Sequence, residues 1–290
     1  MSIPQVKGFF DSATSTISYV VSDSVTRKCA IIDPVLDFDL PSGRLKTTPA
    51  DRIAAYLKEN GLVCVWIIET HIHADHLTAA FYLKDQVGGR IGIAKHVSLV
   101  RSAFDSVFQT HDTGSNCRKG FDHLFGDGET YNIGTLRGRA IHTPGHTPAC
   151  MSHLIGDAVF VGDTIFMPDY GTARCDFPGG DAGQLYDSIH RIFDLPTATR
   201  MFLCHDYPTD VRPEPTWETT VGEQIEKNIH VRRGISRENF MSMRTSRDSV
   251  LRMPALMLSS VQVNMCAGRL PDTEKNGLSY IKIPINAFSE

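Results

Sequence analysis

An α/β fold is expected for this chain, and three observations carry the expectation. Apolar, β-branched runs alternate with amphipathic stretches of helical period. Histidines and aspartates gather where apolar runs give way to loops, as in Thr70-His71-Ile72-His73-Ala74-Asp75-His76, the position at which α/β sheets hold their chemistry. Finally, 290 residues with 41% hydrophobic and 21% charged side chains suffice for a sizeable core.

The elements follow in order. Residues 17–21 and 30–32 read as a hairpin, the second strand ending at Asp33-Pro34. Thr48-Pro49 opens a helix with apolar positions Ile53, Ala54 and Leu57, closed by Asn60-Gly61. Residues 62–68 follow as a buried strand, which places the histidine cluster at its carboxyl end. Residues 77–87 read as a helix closed by Gly88-Gly89, and 91–94 as a short strand. Further strands fit 136–141, 150–154, 158–161 and 201–204, with a helix over 184–193. After Tyr207 the composition changes: 210–215 is linker-like, 219–233 mixed helical, 239–253 helical and 281–285 β-rich. The expected organisation is a catalytic domain over 1–210 and an extension over 211–290 packed on it.

Charge and composition exclude some functions. A net charge of −4 gives no basic field for nucleic acid. No signal-like N-terminus and no apolar run of spanning length is visible, so a cytoplasmic protein without membrane segments is expected. The seven cysteines are scattered and odd in number, which argues against a disulfide framework, and none reads as a catalytic nucleophile.

The chemistry lies in the histidines and aspartates. Within THIHADH, imidazoles two apart can converge on one ion while Asp75 and His76 face a neighbouring position. More donors follow at strand ends: His146 in Thr143-Pro144-Gly145-His146-Thr147, Asp163 in Val161-Gly162-Asp163-Thr164, and His205 directly after Cys204. Any one alone reads as locally satisfied; in this order after HxHxDH they read as a ligand set. His96, His111, His123, His190 and His230 have no such frame and read as surface or structural. His142 and His153 flank the second ligand segment, in range to hydrogen-bond a ligand.

THIHADH, TPGHT, VGDT and the histidine of LCHDY, spread over residues 70–207, resemble the metal-binding set of the metallo-β-lactamase fold, an αββα sandwich of two mixed β-sheets flanked by helices. The resemblance covers about the first three-quarters of the chain. The segment PDYGTARCDF, residues 168–177, is similar to the Gly-x-x-Arg-x-Asp-Phe segment of the persulfide dioxygenases, or sulfur dioxygenases, and His205-Asp206-Tyr207 matches their HDY segment.

That family oxidises glutathione persulfide with O2 to sulfite and glutathione. The resemblance implies one Fe(II) per chain on His71, His146 and Asp163, two imidazoles and a carboxylate that leave adjacent positions open for a thiolate and O2. It leaves His73, Asp75, His76 and His205 as supporting groups or as a second metal site. It points to Arg174 and Asp176 at the substrate, or paired with each other to fix their loop, and to Tyr207 as a phenol beside the metal or a cap on the sheet edge. Animal members read Gly-Cys-Gly-Arg where this chain has Gly171-Thr172-Ala173-Arg174. The residues beyond Tyr207 resemble a bacterial subgroup extension, read as ordinary packing against the outer helices, as a cover for the site or as a homo-oligomer interface.

The same ligands serve a rival. A glyoxalase II-like dinuclear hydrolase of glutathione thioesters needs two Zn(II), one on His71, His73, His146 and Asp163, the other on Asp75, His76, Asp163 and His205. The ligands do not separate the two readings; the loop from Arg174 to Phe177 favours the dioxygenase.

Overall fold

The computed structural model describes residues 3–108, side chains 105 and 106 excepted, and 120–287; His111 and Cys117 lie outside the described residues. The chain opens with β1 (Gln5–Asp11), β2 (Thr16–Ser22) and β3 (Lys28–Ile32). Then come β4 (Val35–Asp39), β5 (Arg44–Lys46), α1 (Thr48–Glu59), β6 (Val63–Ile68), β7 (Leu77–Thr78) and α2 (Ala80–Val87). β8 (Arg90–Ala94), α3 (Val97–Phe108) and β9 (His123–Phe125) close the first half. The second half runs β10 (Thr130–Ile133), β11 (Leu136–His142), β12 (Met151–Ile155), β13 (Ala158–Phe160), α4 (Ala182–Phe193), β14 (Arg200–Phe202) and β15 (Glu218–Thr220). It ends with α5 (Val221–Lys227), α6 (Arg237–Asp248) and α7 (Met257–Asn264).

One six-stranded sheet is ordered β1-β2-β3-β6-β8-β9, parallel from β3 onward; the other is ordered β10-β11-β12-β13-β14-β15, with β13 and β14 parallel. They face each other across one apolar layer, where Ile17, Tyr19, Ile32 and Ile68 meet Ile133, Met151, Phe160 and Phe202. Tyr19 packs its edge on Phe160 and Phe202 at centroid distances of 5.3 and 5.6 Å, a geometry worth about 0.5–1.5 kcal/mol per pair beyond area burial. Outside the first sheet, α1 buries Ala50, Ile53 and Leu57, one helical stripe, with Leu83 of α2 and Val263 of α7. Outside the second, α4 buries Leu185, Ile189 and Ile192 against Val221 and Phe240. The result is the expected αββα sandwich.

Several local expectations are corrected. The helix over 77–87 begins only at Ala80, because Leu77 and Thr78 pair with β4 and Thr78 Oγ1 accepts the Ala80 N–H. The mixed helical stretch at 219 opens as β15, which pairs antiparallel with β14 and so makes residues after 210 the edge of the second sheet. The β-rich run 281–285 forms no strand: Ile283 and Ile285 are exposed, and Pro284 lacks the N–H a ladder needs. α3 and α7 lacked an expectation, although Val97, Val100, Phe104 and Phe108 form an apolar stripe that packs on Met257, Val261 and Ile72. Cys266 is disulfide-bonded, which the scattered spacing did not suggest, while Cys29, Cys64, Cys150, Cys175 and Cys204 are free and buried. No helix among the described residues is long and apolar enough to cross a membrane.

His153 lies in the inter-sheet core beside Phe125 and takes a 2.9 Å hydrogen bond from the Tyr131 hydroxyl on Nδ1. Burial pushes its pKa down to about 4. The unfolded chain protonates this imidazole near pH 6.5 and the folded chain only near 4. Its contribution to stability is therefore complete above pH 6.5 and is lost as the pH falls to 4, about 3 kcal/mol in all at roughly 1.4 kcal/mol per pH unit. In metal-free protein, His153→Gln should lose visibly less unfolding free energy than wild type between pH 7 and 4.5, read by urea denaturation.

Candidate metal centre

All seven predicted ligands converge where the two sheets open at one edge. His71, His73, Asp75 and His76 follow β6, His146 follows β11, Asp163 follows β13 and His205 follows β14. His71 and His146 point Nε2 at Asp163 Oδ2, 3.8 and 3.6 Å away, and the three donors gather within 4.8 Å of one another. His205 Nε2 lies 3.4 Å from Asp163 Oδ1 and 3.5 Å from Asp75 Oδ2. His73, Asp75 and His76 form a second such group.

Hydrogen bonding at the far side of each ring sets which nitrogen faces inward. Asp33 Oδ2 accepts the Thr70 hydroxyl proton at 2.9 Å, so Thr70 Oγ1 can only accept at 3.0 Å from His71 Nδ1, leaving Nε2 a bare lone pair. Asp33 Oδ1 accepts directly from His73 Nε2 at 3.0 Å and leaves Nδ1 as the inward atom. His146 donates Nδ1–H to the Arg174 carbonyl at 2.8 Å, and His205 donates to the Ser15 carbonyl at 3.2 Å. Gly145, at φ 140°, permits the approach of the His146 loop to α4, since a Cβ there would sit 2.4 Å from the Leu185 backbone.

The electrostatics fit a cation. Burial, with His73 and His146 close by, holds His71 well below the ordinary imidazole range, so it is a neutral donor. Burial also opposes ionisation of Asp75, but His205 and His76 outweigh it and keep the carboxylate charged. His73 is the exception: burial favours the neutral ring, but Asp33 and Glu69 outweigh it and lift the pKa well above normal, so a metal on its Nδ1 must displace a proton. His71 Nε2, His73 Nδ1, His76 Nε2 and Asp163 Oδ1 are buried without hydrogen-bond partners. Each such orphan costs about 1–3 kcal/mol, a cost that coordination removes. Imidazole and carboxylate donors suit a divalent transition metal.

A cleft of about 230 Å³ opens on the centre. Its walls include Asp75, His146, Asp163, His205 and Tyr207 together with Arg174, Arg244 and Arg247. Tyr207 stacks on His205 and Tyr170, and burial pushes its phenol far above the ordinary value, so it stays protonated. Arg174 lines the cleft, but its guanidinium is occupied by the Asp176 carboxylate and the Arg252 carbonyl. Asp176 faces Arg174 and a neighbouring groove rather than this cleft. His142 donates to the Pro148 carbonyl and stacks on His96, His153 sits in the core, and His230 holds the backbone of Thr172; none binds a ligand side chain.

Two supports escaped the sequence. Asp33 reads as a strand terminator, and its φ of 47° at the end of β3 is the only local hint of a special role. Asn264 of α7 donates from Nδ2 to the carbonyls of His73 and His76 and accepts the Thr78 N–H on Oδ1, each at 2.8 Å, while Ser260 donates to the Ala74 carbonyl. The C-terminal residues thus clamp the histidine loop.

The metallo-beta-lactamase superfamily model matches residues 13–205, and the chain belongs to that superfamily. It is 50% identical, over 98% of its length and 99% of the relative's, to a probable metallo-hydrolase of Burkholderia pseudomallei. It is 45% identical to Glyoxylase B2 of Dictyostelium discoideum over 99% and 98% of the two chains. Against the mitochondrial persulfide dioxygenase ETHE1 of Homo sapiens, identity is 29% over 70% of this chain and 68% of that one. The crystal structure of ETHE1 from Myxococcus xanthus superposes with a TM-score of 0.73 at 30% identity, covering 91% of this chain and 100% of that one.

Asn264→Ala would strand the carbonyls of His73 and His76 and the N–H of Thr78 inside the protein. We expect a loss of about 2–4 kcal/mol in unfolding free energy and metal affinity lowered by roughly 10- to 100-fold, measured by denaturation and competition with a chelator.

Proposed function

We propose that the chain is a persulfide dioxygenase acting on glutathione persulfide. One O2 and one water are consumed per persulfide; the sulfane sulfur gives four electrons to O2 and leaves as sulfite, and the carrier regains its thiol. The observation that carries this reading is the convergence of two imidazoles and one carboxylate, His71, His146 and Asp163, of which His146 and Asp163 line a small cleft. The likeness to ETHE1 of Myxococcus xanthus over most of both chains supports it. A ferrous ion held by these three residues would supply the chemistry of joining a thiolate sulfur to O2, whereas a zinc pair would supply a nucleophilic water.

The protein's own contribution is orientation. Thr70 and the Arg174 carbonyl hold the Nδ1 protons of His71 and His146 away from the site, so both rings present lone pairs. Phe177 packs at 87° on the His146 ring with a 5.0 Å centroid separation, and Phe166 does likewise beside Tyr207, keeping water from that wall. Tyr207, a neutral phenol in the cleft wall, offers an O–H donor to developing sulfur oxyanions.

One set of observations favours a dinuclear thioester hydrolase instead: His73 Nδ1 and His76 Nε2 are also buried and unpaired, and the similar proteins from Burkholderia pseudomallei and Dictyostelium discoideum carry the names metallo-hydrolase and Glyoxylase B2. Protein purified without added metal should hold about one iron per chain and consume O2 with glutathione persulfide but not with S-lactoylglutathione. About two zinc per chain, with S-lactoylglutathione hydrolysed and no oxygen uptake, assigns the hydrolase. Asp163→Ala should abolish iron retention; undiminished iron would remove Asp163 from the ligand set.

A further inference from the structure

Three guanidinium groups wall the cleft, and two are committed. Arg174 is held by Asp176 and the Arg252 carbonyl. Arg244 is buried, bonding Asp248 Oδ1 through Nε and Nη2 at 3.0 and 2.7 Å and the Thr172 carbonyl through Nη1 at 3.0 Å. Asp248 is committed in turn, since its Oδ2 accepts the Cys175 N–H at 2.8 Å. Arg247 lies three residues beyond Arg244 on α6 and so shares its helix face. It is exposed, lines the same cleft as His146 and Asp163, and its side chain has no hydrogen bond or ion pair to any described residue.

The same cleft is therefore lined by metal-ligating side chains and by an exposed cation that pairs with no described residue. A ligand bridging them has sulfur at one end and an anion at the other. Phe177, Leu251 and Pro254 supply apolar wall that fits a short carrier backbone. A guanidinium fork matches a carboxylate in shape and charge. We propose that Arg247, from the C-terminal extension, binds a carboxylate of the small thiol carrier and so selects carboxylate-bearing thiols over neutral ones. The assignment rests on the reading that this site takes a glutathione conjugate, and it holds for either reaction on such a conjugate. The role given to Arg174 in the sequence thereby passes to Arg247, because the Arg174 charge is already paired with the Asp176 carboxylate.

The test is a binding cycle on the metal-loaded protein, with calorimetric titration of glutathione and of glutathione diethyl ester into wild type and Arg247→Ala. Wild type should bind glutathione about tenfold more tightly than the ester, as a charge-assisted hydrogen bond at an exposed site allows. Arg247→Ala should lose that preference while its affinity for the ester changes less than twofold, and Arg247→Lys should recover part of it. Equal weakening of both ligands, or an unchanged preference for the acid, overturns the proposal. So does a wild-type protein that does not distinguish acid from ester. Absence of oxygen uptake with glutathione persulfide, alongside an intact preference for the acid, instead overturns the dioxygenase reading and leaves Arg247 in its role.

Discussion

The centre depends on one buried carboxylate. Asp33 sits at the end of β3, 2% exposed, and accepts the Thr70 N–H, the Thr70 hydroxyl and His73 Nε2. Burial opposes its charge, but the His73 contact and the Thr70 bonds keep its pKa below the usual carboxylate range. One anion thus fixes the orientation of the His73 ring directly and the tautomer of His71 through Thr70. Its backbone binds the same neighbourhood, with N–H to the Ile68 carbonyl and carbonyl from Ser18 Oγ, so β2, β3 and β6 meet at one residue. The left-handed φ of 47°, which Asp tolerates better than most side chains, is held by these five bonds.

Around that residue the two halves of the chain divide the work. The first sheet delivers His71, His73, Asp75 and His76 in one loop, and the second delivers His146, Asp163 and His205 from three strand ends. The His71, His146 and Asp163 group draws on both sheets, so it forms only when their apolar faces meet. The C-terminal residues then finish it from both sides: α7 pins the histidine loop through Asn264 and Ser260, and α6 lends Arg244 to the Thr172 loop and Arg247 to the cleft. Because β15 also closes the second sheet, residues beyond 210 are built into the sandwich and its cleft.

Much of this was legible in the sequence, for local reasons. Strands that bury both faces show as continuous apolar runs, such as residues 17–21 and 64–68, and helices with one buried stripe show their period, as α1 and α4 do. Metal-binding side chains must be His or Asp and must leave a strand end, so HxHxDH, His146, Asp163 and His205 were visible as types and positions. The strand expected at 281–285 failed because β-propensity needs a partner edge, which no local pattern reports.

What the sequence by itself determined is the donor inventory, which follows from residue types at short spacing, while the αββα architecture was implied by the resemblance those motifs carry. Only the tertiary structure decided which nitrogen each imidazole turns inward, which cleft arginine is left without a carboxylate partner among the described residues, and what holds the histidine loop. Those outcomes rest on hydrogen bonds between residues far apart in the chain, 37 positions for Asp33 to Thr70 and 191 for Asn264 to His73. The direction of a lone pair is set by its partner across the ring, and that partner arrives only when the chain has folded.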